Sequence, residues 1–500
     1  MGSAGGGQRA DRRADPGGGQ VLSVASESVP LVKTGGLADV VGALPGALAP
    51  LGWRLRTLLP AYRGLAATLG AAREVWSDPD LFGGPARVIA GQAGGLDLML
   101  LDAPHLYDRP GGPYGTDGTD HPDNPERFAA LGWAAAALAR GGAADGWRPD
   151  ILHAHDWQAA LAPVYLRQAG GGGVPSLLTI HNIAFQGIAP AARRRALRLD
   201  EAGFHAGGYE YWGDISTLKA GLLAADALTT VSARYADELM RPEFGMGLEG
   251  VIAARAGVLS GIVNGVDTDL WNPATDPAIQ HYDARRLPAR AANRTALLAE
   301  FGLGAVPGPL AIVVSRLTGQ KGIDLLAEVL PDFIAEGGGL VLLGTGEAAL
   351  EAALVELARR FPDRVGIRIG YDEVLAHRMF AGGDAVLVPS RFEPCGLTQL
   401  YGLRYGAVPV VAATGGLADT VIGASPASLA AKAATGISFH PVDALAFARA
   451  LRQLCALYAD RAGFAALQRR AMRAEVGWDR AAVAYAGLYR DLVAVGGRGA

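Results

Sequence analysis

The stretch Thr-Gly-Gly-Leu-Ala-Asp occurs twice in the chain, at residues 34–39 and again at residues 414–419. Each copy follows a short β-rich segment and precedes a helix-prone one, so each predicts a turn from a strand into a helix. Paired glycines at such a turn let the backbone approach a ligand closely, with amide N–H groups directed at it. Two copies so far apart in the chain predict two nucleotide-binding-like halves that face one ligand.

Short apolar, β-branched runs alternate with helix-like segments along almost the whole chain. Because these runs are continuously apolar, they predict strands buried on both faces of parallel sheets. The alternation with helices predicts doubly wound α/β domains. The predicted strands are 21–25, 56–59, 98–101, 151–155, 177–180 and 227–231 in the first half, and 311–315, 340–343, 385–389 and 408–412 in the second.

Length and composition favour a globular, enzyme-like chain of two domains. Five hundred residues exceed one ordinary core, and 50% hydrophobic with 19% charged residues argue against a disordered chain. A net charge of −4 argues against non-specific nucleic-acid binding. No apolar run approaches the roughly 18 residues that span a bilayer. The two cysteines, Cys395 and Cys455, fit a reducing cytosol and not a disulfide framework.

Two cations follow the predicted strand at 311–315. Ligands of open α/β sheets bind beyond the carboxyl ends of the strands, so polar residues at these ends are candidate site residues. Arg316 can grip phosphate oxygens as a fork, and Lys321 can act on them as a point charge. The pair therefore predicts a diphosphate site, with solvated surface cations as the structural alternative.

A second candidate cluster follows the predicted strand at 385–389. Glu393 stands just before a turn, where a carboxylate can hold two hydroxyls of a sugar. Gly396, Leu397 and Thr398 begin a helix whose free N–H groups can meet a phosphate. The alternative for Glu393 is a carboxylate that only complements the dipole of this helix.

Histidines follow two further predicted strands. His153 and His155 would lie on one face of their strand, but no third ligand with suitable spacing accompanies them. A substrate-lining or hydrogen-bonded core role is therefore favoured over a metal site. His181 and Asn182 have a stronger claim to the site, because the loop that follows them is expected to project toward the cleft.

Taken together, these motifs resemble those of bacterial glycogen synthases and plant starch synthases, the retaining α-glucan synthases of glycosyltransferase family 5. The resemblance runs from about residue 21 to about residue 420, and Lys33-Thr-Gly-Gly-Leu in this company is its most specific part. Other matching stretches are His153-Ala-His-Asp-Trp, His181-Asn-Ile-Ala-Phe-Gln-Gly, Leu218-Lys-Ala-Gly, Asn264-Gly-Val-Asp, Ser315-Arg-Leu-Thr-Gly-Gln-Lys-Gly and Glu393-Pro-Cys-Gly-Leu-Thr.

The resemblance implies a GT-B fold, with two Rossmann-like doubly wound domains around a deep interdomain cleft. The expected boundaries are a disordered tail at 1–19, an acceptor-side domain at 20–260, a nucleotide-sugar domain at 261–477, and at 478–500 a helix that crosses back to the first domain plus a frayed end. The implied reaction transfers glucose from ADP-glucose to the non-reducing 4-hydroxyl of glycogen or a malto-oligosaccharide. The configuration is retained, no metal or other cofactor takes part, and the expected location is the cytoplasm, without nucleic-acid or membrane partners.

The resemblance also assigns residues to roles. The implied catalytic residues are Arg316 and Lys321 on the leaving diphosphate, Glu393 on the donor glucose hydroxyls and His181 at the sugar 6-hydroxyl. The implied substrate-binding residues are Lys33, Gly35, Gly36 and Asp39 in the loop that approaches the donor, Asp123 on the acceptor side, Tyr371 against the base, Gly396, Leu397 and Thr398 on the diphosphate, and Asn182, Asn264 and Cys395 beside them. The residues alone do not separate ADP-glucose from UDP-glucose, but the resemblance favours ADP-glucose.

The chain departs from the expected pattern at three positions. Tyr401 stands where many retaining GT-B enzymes carry a second glutamate, which leaves Glu393 as the only carboxylate of that kind. His121 replaces an expected aromatic residue, and Thr217 replaces a bulkier apolar one. The last two departures concern contacts on the acceptor side and leave the donor site intact.

Three other functions remain as alternatives. A sucrose- or trehalose-type glycosyltransferase would share the fold but would not be expected to carry Lys33-Thr-Gly-Gly-Leu. A phosphorylase would need a lysine for pyridoxal phosphate, and the sequence offers no obvious candidate. A glucan-binding protein without activity would be expected to have lost Lys33, Arg316, Lys321 or Glu393, and all four are present.

Overall fold

The computed structural model describes residues 17–116, 118–171 and 173–496, so most of the predicted tail at 1–19 and the last four residues of the predicted frayed end lie outside the described residues. The contacts divide the chain into two compact units. The first unit holds the chain up to Leu178, Gln186–Ala227 and the chain from Ala482; the second holds Thr179–Phe185 and Leu228–Ala481. The domain boundaries expected from the sequence stay predictions.

The elements up to residue 261 alternate between strands and helices. The strands are β1 (Gly19–Val24), β2 (Trp53–Pro60), β3 (Gly70–Asp78), β4 (Ala86–Ala93), β5 (Leu96–Asp102), β6 (Gly115–Thr116), β7 (Thr119–Asp120), β8 (Ile151–His155), β9 (Ser176–Ile180), β10 (Ile188–Ala189), β11 (Glu210–Tyr211), β12 (Asp214–Ser216), β13 (Ala227–Thr230) and β14 (Leu259–Gly261). The helices are α1 (Gly36–Leu48), α2 (Pro104–Tyr107), α3 (Asn124–Gly141), α4 (Asp156–Ala159), α5 (Leu161–Gln168), α6 (Thr217–Ala224), α7 (Ala233–Leu239) and α8 (Glu249–Ala254).

The alternation continues to the end of the described chain. The strands are β15 (Leu310–Val314), β16 (Gly339–Gly344), β17 (Val365–Ile369), β18 (Ala385–Val388), β19 (Val408–Ala412) and β20 (Ile437–Phe439). The helices are α9 (Arg290–Glu300), α10 (Ile323–Ala335), α11 (Ala348–Arg360), α12 (Glu373–Gly382), α13 (Thr398–Tyr405), α14 (Gly415–Thr420), α15 (Pro426–Ala430), α16 (Ala444–Ala459), α17 (Arg461–Ala471) and α18 (Asp479–Gly496).

In the first unit, parallel strands form the centre of the sheet and antiparallel strands extend it. β8, β1, β2 and β5 pair in parallel in that order, and β4 and β3 follow in antiparallel pairs. The parallel strands were predicted from their apolar runs, but β3 and β4 were not. Burial alternates along β4 and β3 is largely exposed, so neither strand carries the continuous apolar run that marks a strand covered on both faces.

In the second unit, six parallel strands pair in the order β17-β16-β15-β18-β19-β20. Successive residues of β15 enter different cores: Val313 belongs to one buried apolar cluster and Ile312 to another. A strand that buries both faces needs helices on both sides of the sheet. The predicted doubly wound α/β class is therefore confirmed for this unit.

Both copies of Thr-Gly-Gly-Leu-Ala-Asp lead from strands into helices, as predicted. α1 begins at Gly36 and runs for 13 residues. α14 begins at Gly415 but ends at Thr420, because Val421 returns to extended backbone with φ −117° and ψ 116°. The helix expected to continue beyond Asp419 is therefore only one residue longer than the motif. Among the described residues, no helix is both long and apolar enough to cross a membrane.

Candidate active site

The buried carboxylate of Glu27 accepts hydrogen bonds from the first copy of the repeated motif. Glu27 accepts hydrogen bonds from the backbone N–H of Thr34 at 2.5 Å and of Gly35 at 3.2 Å, and from the Thr34 hydroxyl at 2.8 Å. Tyr114 donates its hydroxyl to the same carboxylate at 2.8 Å. Burial, and then the Glu27 charge, raise the pKa of Tyr114 well above its usual value, so Tyr114 remains a donor.

The two glycines of this first copy have open space around them. A Cβ atom at Gly35 or Gly36 would meet no described atom within 4 Å. Gly35 has φ −155°, which is extended backbone that any residue can adopt, and no side chain caps α1. Neither packing nor backbone conformation requires glycine here, and the open space leaves room for a ligand to approach the backbone.

Charged side chains border this loop in the first unit. Lys33 Nζ lies 2.8 Å from Asp39 Oδ1, and the Lys33 side chain is 42% exposed. Asp123 binds Arg109 through both oxygens at 2.7 Å. Burial raises the pKa of Asp123, but the hydrogen bonds and charge of Arg109 outweigh it and hold the pKa below its usual value. Both predicted carboxylates therefore already hold a cation.

In the second unit, the structure brings Lys321 and Glu393 into direct contact. Lys321 Nζ lies 2.5 Å from Glu393 Oε2, and the two side chains are 18% and 10% exposed. Ser390 donates its hydroxyl to the same oxygen at 3.0 Å. No described residue donates a hydrogen bond to Glu393 Oε1. One oxygen is thus fixed by the protein, and the other is left to accept from a ligand.

Gln320 connects the loop of Arg316 to the loop of Glu393 by two hydrogen bonds. Gln320 donates its side-chain N–H to Phe392 O at 3.1 Å and accepts from Arg391 N at 2.9 Å. Arg391 binds Asp324 through two bonds of 2.7 and 2.6 Å, which marks it as a structural cation. Arg316 is exposed, and among the described residues its guanidinium is hydrogen-bonded only to the Gln320 side chain, at 3.5 Å. Arg316 is therefore available to an anion.

The segment after Glu393 forms the predicted helix start. Gly396 has φ +72°, a left-handed conformation that favours glycine, and α13 begins at Thr398 with Leu397 as its N-cap. Burial raises the pKa of the Cys395 thiol to about 12, with a backbone hydrogen bond from Asn264 working against the shift. Cys395 is thus protonated near neutral pH, which supports a filler and not a nucleophile.

Asn264 carries a hydrogen-bonding group that the described protein does not satisfy. Its side chain is 7% exposed, and its amide oxygen accepts no hydrogen bond from any described residue. Leaving such an acceptor unpaired costs about 1–3 kcal/mol. A ligand hydroxyl or amine would remove that cost, so the geometry is consistent with the predicted binding role.

The two glycines of the second copy of the motif pack against neighbouring backbone. A Cβ at Gly415 would lie 2.0 Å from Glu393 O, and one at Gly416 would lie 2.3 Å from Cys395 O. The N–H of Gly415 is taken by both carboxylate oxygens of Glu238 at 3.1 Å. The prediction that the paired glycines direct their amide N–H groups at a ligand is therefore wrong for Gly415, and also for Gly35, whose N–H donates to Glu27 at 3.2 Å. In the second copy, close backbone packing also explains the glycines.

His181 is the remaining predicted catalytic residue. Its side chain is 8% exposed, and burial lowers its pKa to about 3, so the imidazole is neutral near pH 7. Asn182 accepts from Ala184 N at 3.0 Å, which turns the loop after β9. Tyr371 is 77% exposed and donates to Glu373 at 3.0 Å. Its ring therefore presents a face to solvent.

Comparison with known proteins shows which family this chain is similar to. A family model described as starch synthase catalytic domain matches residues 20–254, and one described as glycosyl transferases group 1 matches residues 308–456. A glycogen synthase of Cereibacter sphaeroides is 64% identical over 476 residues, covering 95% of this chain and 99% of that protein. A glycogen synthase of Paracoccus denitrificans is 58% identical over 481 residues, covering 95% of this chain and 100% of that protein.

The chain belongs to the bacterial glycogen synthases of glycosyltransferase family 5. A solved structure supports this: the catalytic domain of starch synthase IV from Arabidopsis thaliana, bound to ADP and acarbose, has a TM-score of 0.85 at 30% identity and covers 95% of this chain and 100% of its own. The predicted family, GT-B fold class and glycogen synthase activity are confirmed by these likenesses.

Within this glycogen synthase fold, the paired histidines belong to the core of the first unit. His153 and His155 are both fully buried, with ring centroids 4.1 Å apart. His153 Nδ1 is hydrogen-bonded to the Tyr489 hydroxyl at 2.8 Å, and His155 Nε2 to the Ser23 hydroxyl at 3.3 Å. Across the described ranges, no group of three or more His, Cys, Asp or Glu side chains is placed to hold a metal. The favoured core role therefore fits this geometry.

The three departures from the family pattern have local explanations. Tyr401 stacks on Trp271 at 3.8 Å, so this position serves the core of the second unit. Thr217 is buried and donates its hydroxyl to Trp157 O at 3.3 Å. His121 Nε2 lies 3.2 Å from Gly112 O. Each replacement makes a contact of its own with the surrounding protein.

Two residues of the site were noted in the sequence as polar residues after predicted strands but were assigned no role. Glu27 organises the first loop, and Ser390 fixes one oxygen of Glu393. Strand-end position singled out both residues, but it did not reveal what they do. Their hydrogen-bond partners could not be read from the sequence, because a turn must fold before Glu27 meets residues seven and eight positions away.

Proposed function

We propose that this chain transfers glucose from ADP-glucose to the non-reducing 4-hydroxyl of an α-1,4-glucan, with retention of the anomeric configuration. The observation that carries the proposal is the 2.5 Å contact between Lys321 and Glu393. It joins a cation suited to a leaving diphosphate to a carboxylate suited to sugar hydroxyls. The related starch synthase IV domain was solved with ADP and acarbose, which supports this donor and a glucan acceptor.

The proposed role of Arg316 and Lys321 is to stabilise the departing diphosphate. The bond between glucose C1 and the diphosphate oxygen breaks, and negative charge grows on that oxygen. Fixed cations and the N–H groups at the start of α13 stabilise this charge without reorganising during the reaction. The exposed guanidinium of Arg316 and the Lys321 ammonium supply the cationic part of that environment.

The proposed role of Glu393 is to orient the donor glucose. Its Oε2 is fixed by Lys321 and Ser390, so Oε1 is in a defined position to accept from glucose hydroxyls. His181, neutral because burial lowers its pKa to about 3, is proposed to bind the 6-hydroxyl. Attack comes from the face of the leaving group: the acceptor oxygen bonds to C1, and the leaving phosphate takes the acceptor proton.

The remaining predicted residues are proposed as binding residues. In the first unit, Lys33, Gly35, Gly36 and Asp39 form the open loop for the donor, and Asp123 serves the acceptor side. In the second unit, Tyr371 offers an exposed ring to the base. The proposed diphosphate and sugar contacts come from Gly396, Leu397, Thr398, Asn182, Asn264 and Cys395.

We further propose that the reaction needs no metal and takes place in the cytoplasm. The leaving group already has two cations assigned to it, so no metal charge is required in this scheme. The two cysteines, Cys395 and Cys455, are free, which suits a reducing compartment. Glycogen or a malto-oligosaccharide is the proposed acceptor.

The domain boundaries expected from the sequence are kept as part of the proposal. The acceptor-side domain would span 20–260, the nucleotide-sugar domain 261–477, and the closing helix would lie within 478–500. The two family matches, at 20–254 and 308–456, support this division.

The test is incorporation of labelled glucose into glycogen from ADP-glucose and, in parallel, from UDP-glucose, with excess EDTA present. We expect faster incorporation from ADP-glucose, and loss of incorporation in Lys321→Ala. Lys432→Ala is the matched control. Lys432 is an exposed lysine of the second unit, two residues after the end of α15, and it has no assigned role. A preference for UDP-glucose would overturn the donor, and a folded wild-type protein inactive with both would overturn the transferase.

A further inference from the structure

One face of the short helix α7 contacts several segments that carry predicted catalytic residues. Ser232, Tyr235 and Glu238 are spaced three residues apart, which places them on one side of the helix. All three are buried, with exposures of 0%, 0% and 3%. Two are polar groups that could not be buried cheaply without partners, so their hydrogen bonds identify what this face is built to hold.

The first two side chains link the loop of His181 to the loop of Glu393. Ser232 caps α7 by accepting from Tyr235 N at 3.1 Å and donates its hydroxyl to Pro394 O at 2.7 Å. The Tyr235 hydroxyl accepts from Ile183 N at 3.2 Å, two residues after His181. The Tyr235 ring packs edge-on against Phe392 at 5.3 Å. The residues on both sides of Glu393 therefore touch α7.

Glu238 and the second copy of the repeated motif cap each other's helices. Glu238 accepts from Gly415 N, at the start of α14, through both oxygens at 3.1 Å. In return, Asp419 accepts from Arg234 N, in the first turn of α7, at 2.8 Å. Two reciprocal carboxylate contacts fix the register between the helices.

Helices α7 and α14 also bind the backbone of the loop that contains Glu393. Gly416 N donates to both Glu393 O and Pro394 O at 3.1 Å. Glu393 is thus held through its own backbone from the α14 side and through Pro394 from the α7 side. No substrate contact is assigned to Ser232, Tyr235 or Glu238, so their effect on the reaction must pass through the loops that they hold.

We propose that the α7 face of Ser232, Tyr235 and Glu238 is a positioning surface that sets Glu393 and the His181 loop in their reactive arrangement. The inference rests on the proposed function, in which Glu393 holds the donor glucose. Displacing a catalytic group by about 1 Å can cost about 10²-fold in rate. Loss of one contact on this face is therefore expected to lower kcat much more than it weakens donor binding.

The test compares two serines that cap helices in the same way. Ser232 and Ser425 each accept an N-cap hydrogen bond at 3.1 Å, but only Ser232 also binds the catalytic loop. Both Ser232→Ala and Ser425→Ala should lower the melting temperature through the lost cap. We expect Ser232→Ala to lower kcat at least about tenfold with KM for ADP-glucose within about threefold, and Ser425→Ala to keep both constants.

A second variant covers the case in which Ser232→Ala does not fold. Tyr235→Phe removes only the hydroxyl that accepts from Ile183 and keeps the ring against Phe392. It should also lower kcat with little change in KM. The positioning role would be overturned if either folded variant, Ser232→Ala or Tyr235→Phe, kept the wild-type kcat. It would also be overturned if Ser425→Ala lost as much kcat as Ser232→Ala. In both cases the activity of the wild-type protein would still uphold the proposed function. A folded wild-type protein without incorporation would overturn the proposed function, and this inference with it.

Discussion

Alanine substitution at matching glycines of the two Thr-Gly-Gly-Leu-Ala-Asp copies should have opposite effects on stability. Gly36 and Gly416 are the same residue of the motif. A Cβ at Gly36 would meet no described atom within 4 Å, whereas one at Gly416 would lie 2.3 Å from Cys395 O and 2.5 Å from Cys395 Cα. Neither glycine has a positive φ, so packing and not backbone conformation separates the two variants.

The expected magnitudes follow from these distances. Gly36→Ala should stabilise the fold by about 0.4–1 kcal/mol, because alanine has fewer unfolded conformations and fits the helix. Carbon atoms pack at about 3.5–4.0 Å, so Gly416→Ala must move the Cys395 backbone by about 1 Å. Such overpacking costs about 1–3 kcal/mol. The movement occurs beside Glu393, so kcat should fall by about 10²-fold.

Because Gly36→Ala is not expected to disturb the fold, its KM for ADP-glucose tests whether the donor approaches this loop. If the donor approaches this loop closely, the added methyl should raise KM for ADP-glucose about tenfold, which corresponds to about 1.4 kcal/mol of binding. Thermal unfolding and glucose incorporation, measured on both variants, check the two effects separately. A destabilised Gly36→Ala, or a Gly416→Ala protein with wild-type melting temperature and kcat, would refute the assignment of one copy to a ligand and the other to packing.

Three further outcomes are expected. Lys321→Ala should lower kcat by about 10²–10³-fold in the incorporation assay, because it removes charge at the leaving group, and an active variant would contradict that role. His181 has a lowered folded pKa, of about 3, so its contribution to stability is present above about pH 6.5 and is lost as pH falls toward 3. The free energy of unfolding of the wild type minus that of His181→Asn, measured in denaturant titrations, should therefore be about 2 kcal/mol smaller at pH 5 than at pH 8. If this difference is the same at both pH values, a buried neutral imidazole at His181 is ruled out. Excess EDTA should leave incorporation unchanged in the wild type and in His153→Ala, since His153 is engaged with Tyr489 in the core; strong inhibition of the wild type would revive a metal site.

The parts of the site that the sequence predicted are those fixed by local position. Arg316, Lys321 and Glu393 follow strands that read clearly as buried apolar runs, and parallel strands bring their carboxyl ends to one edge of a sheet. The contact between Lys321 and Glu393 follows from the pairing of β15 with β18. Reading strand ends was therefore enough to propose this pair before the structure.

The parts that the sequence did not predict depend on distant partners. The two copies of the repeated motif are identical over six residues, yet one is open to solvent at Gly36 and the other is packed under Cys395. In both copies the first glycine donates its N–H to a buried carboxylate, Gly35 to Glu27 and Gly415 to Glu238. What separates the copies is the backbone of Glu393 and Cys395, which packs against the glycines of the second copy only. A short motif specifies the turn but not what faces it, so identical turns can serve a ligand or a neighbouring helix.

The use of lysine instead of arginine also distinguishes a residue of the site from the rest of the protein. Only four of the 45 basic residues of the chain are lysines, and the other 41 are arginines. Arginine can replace lysine wherever a solvated or ion-paired cation is enough, but its rigid fork cannot replace a compact ammonium in a tight site. Lys33 and Lys321 stand in the two predicted ligand loops, and Lys219 is buried with its ammonium on two carbonyl oxygens at 2.6 Å. Lys321, which is 18% exposed against Glu393, and Lys219 stand at positions with a geometric demand, which is independent support for Lys321 as a site residue. Lys33, which is 42% exposed and paired with Asp39, and the exposed Lys432 show no such demand.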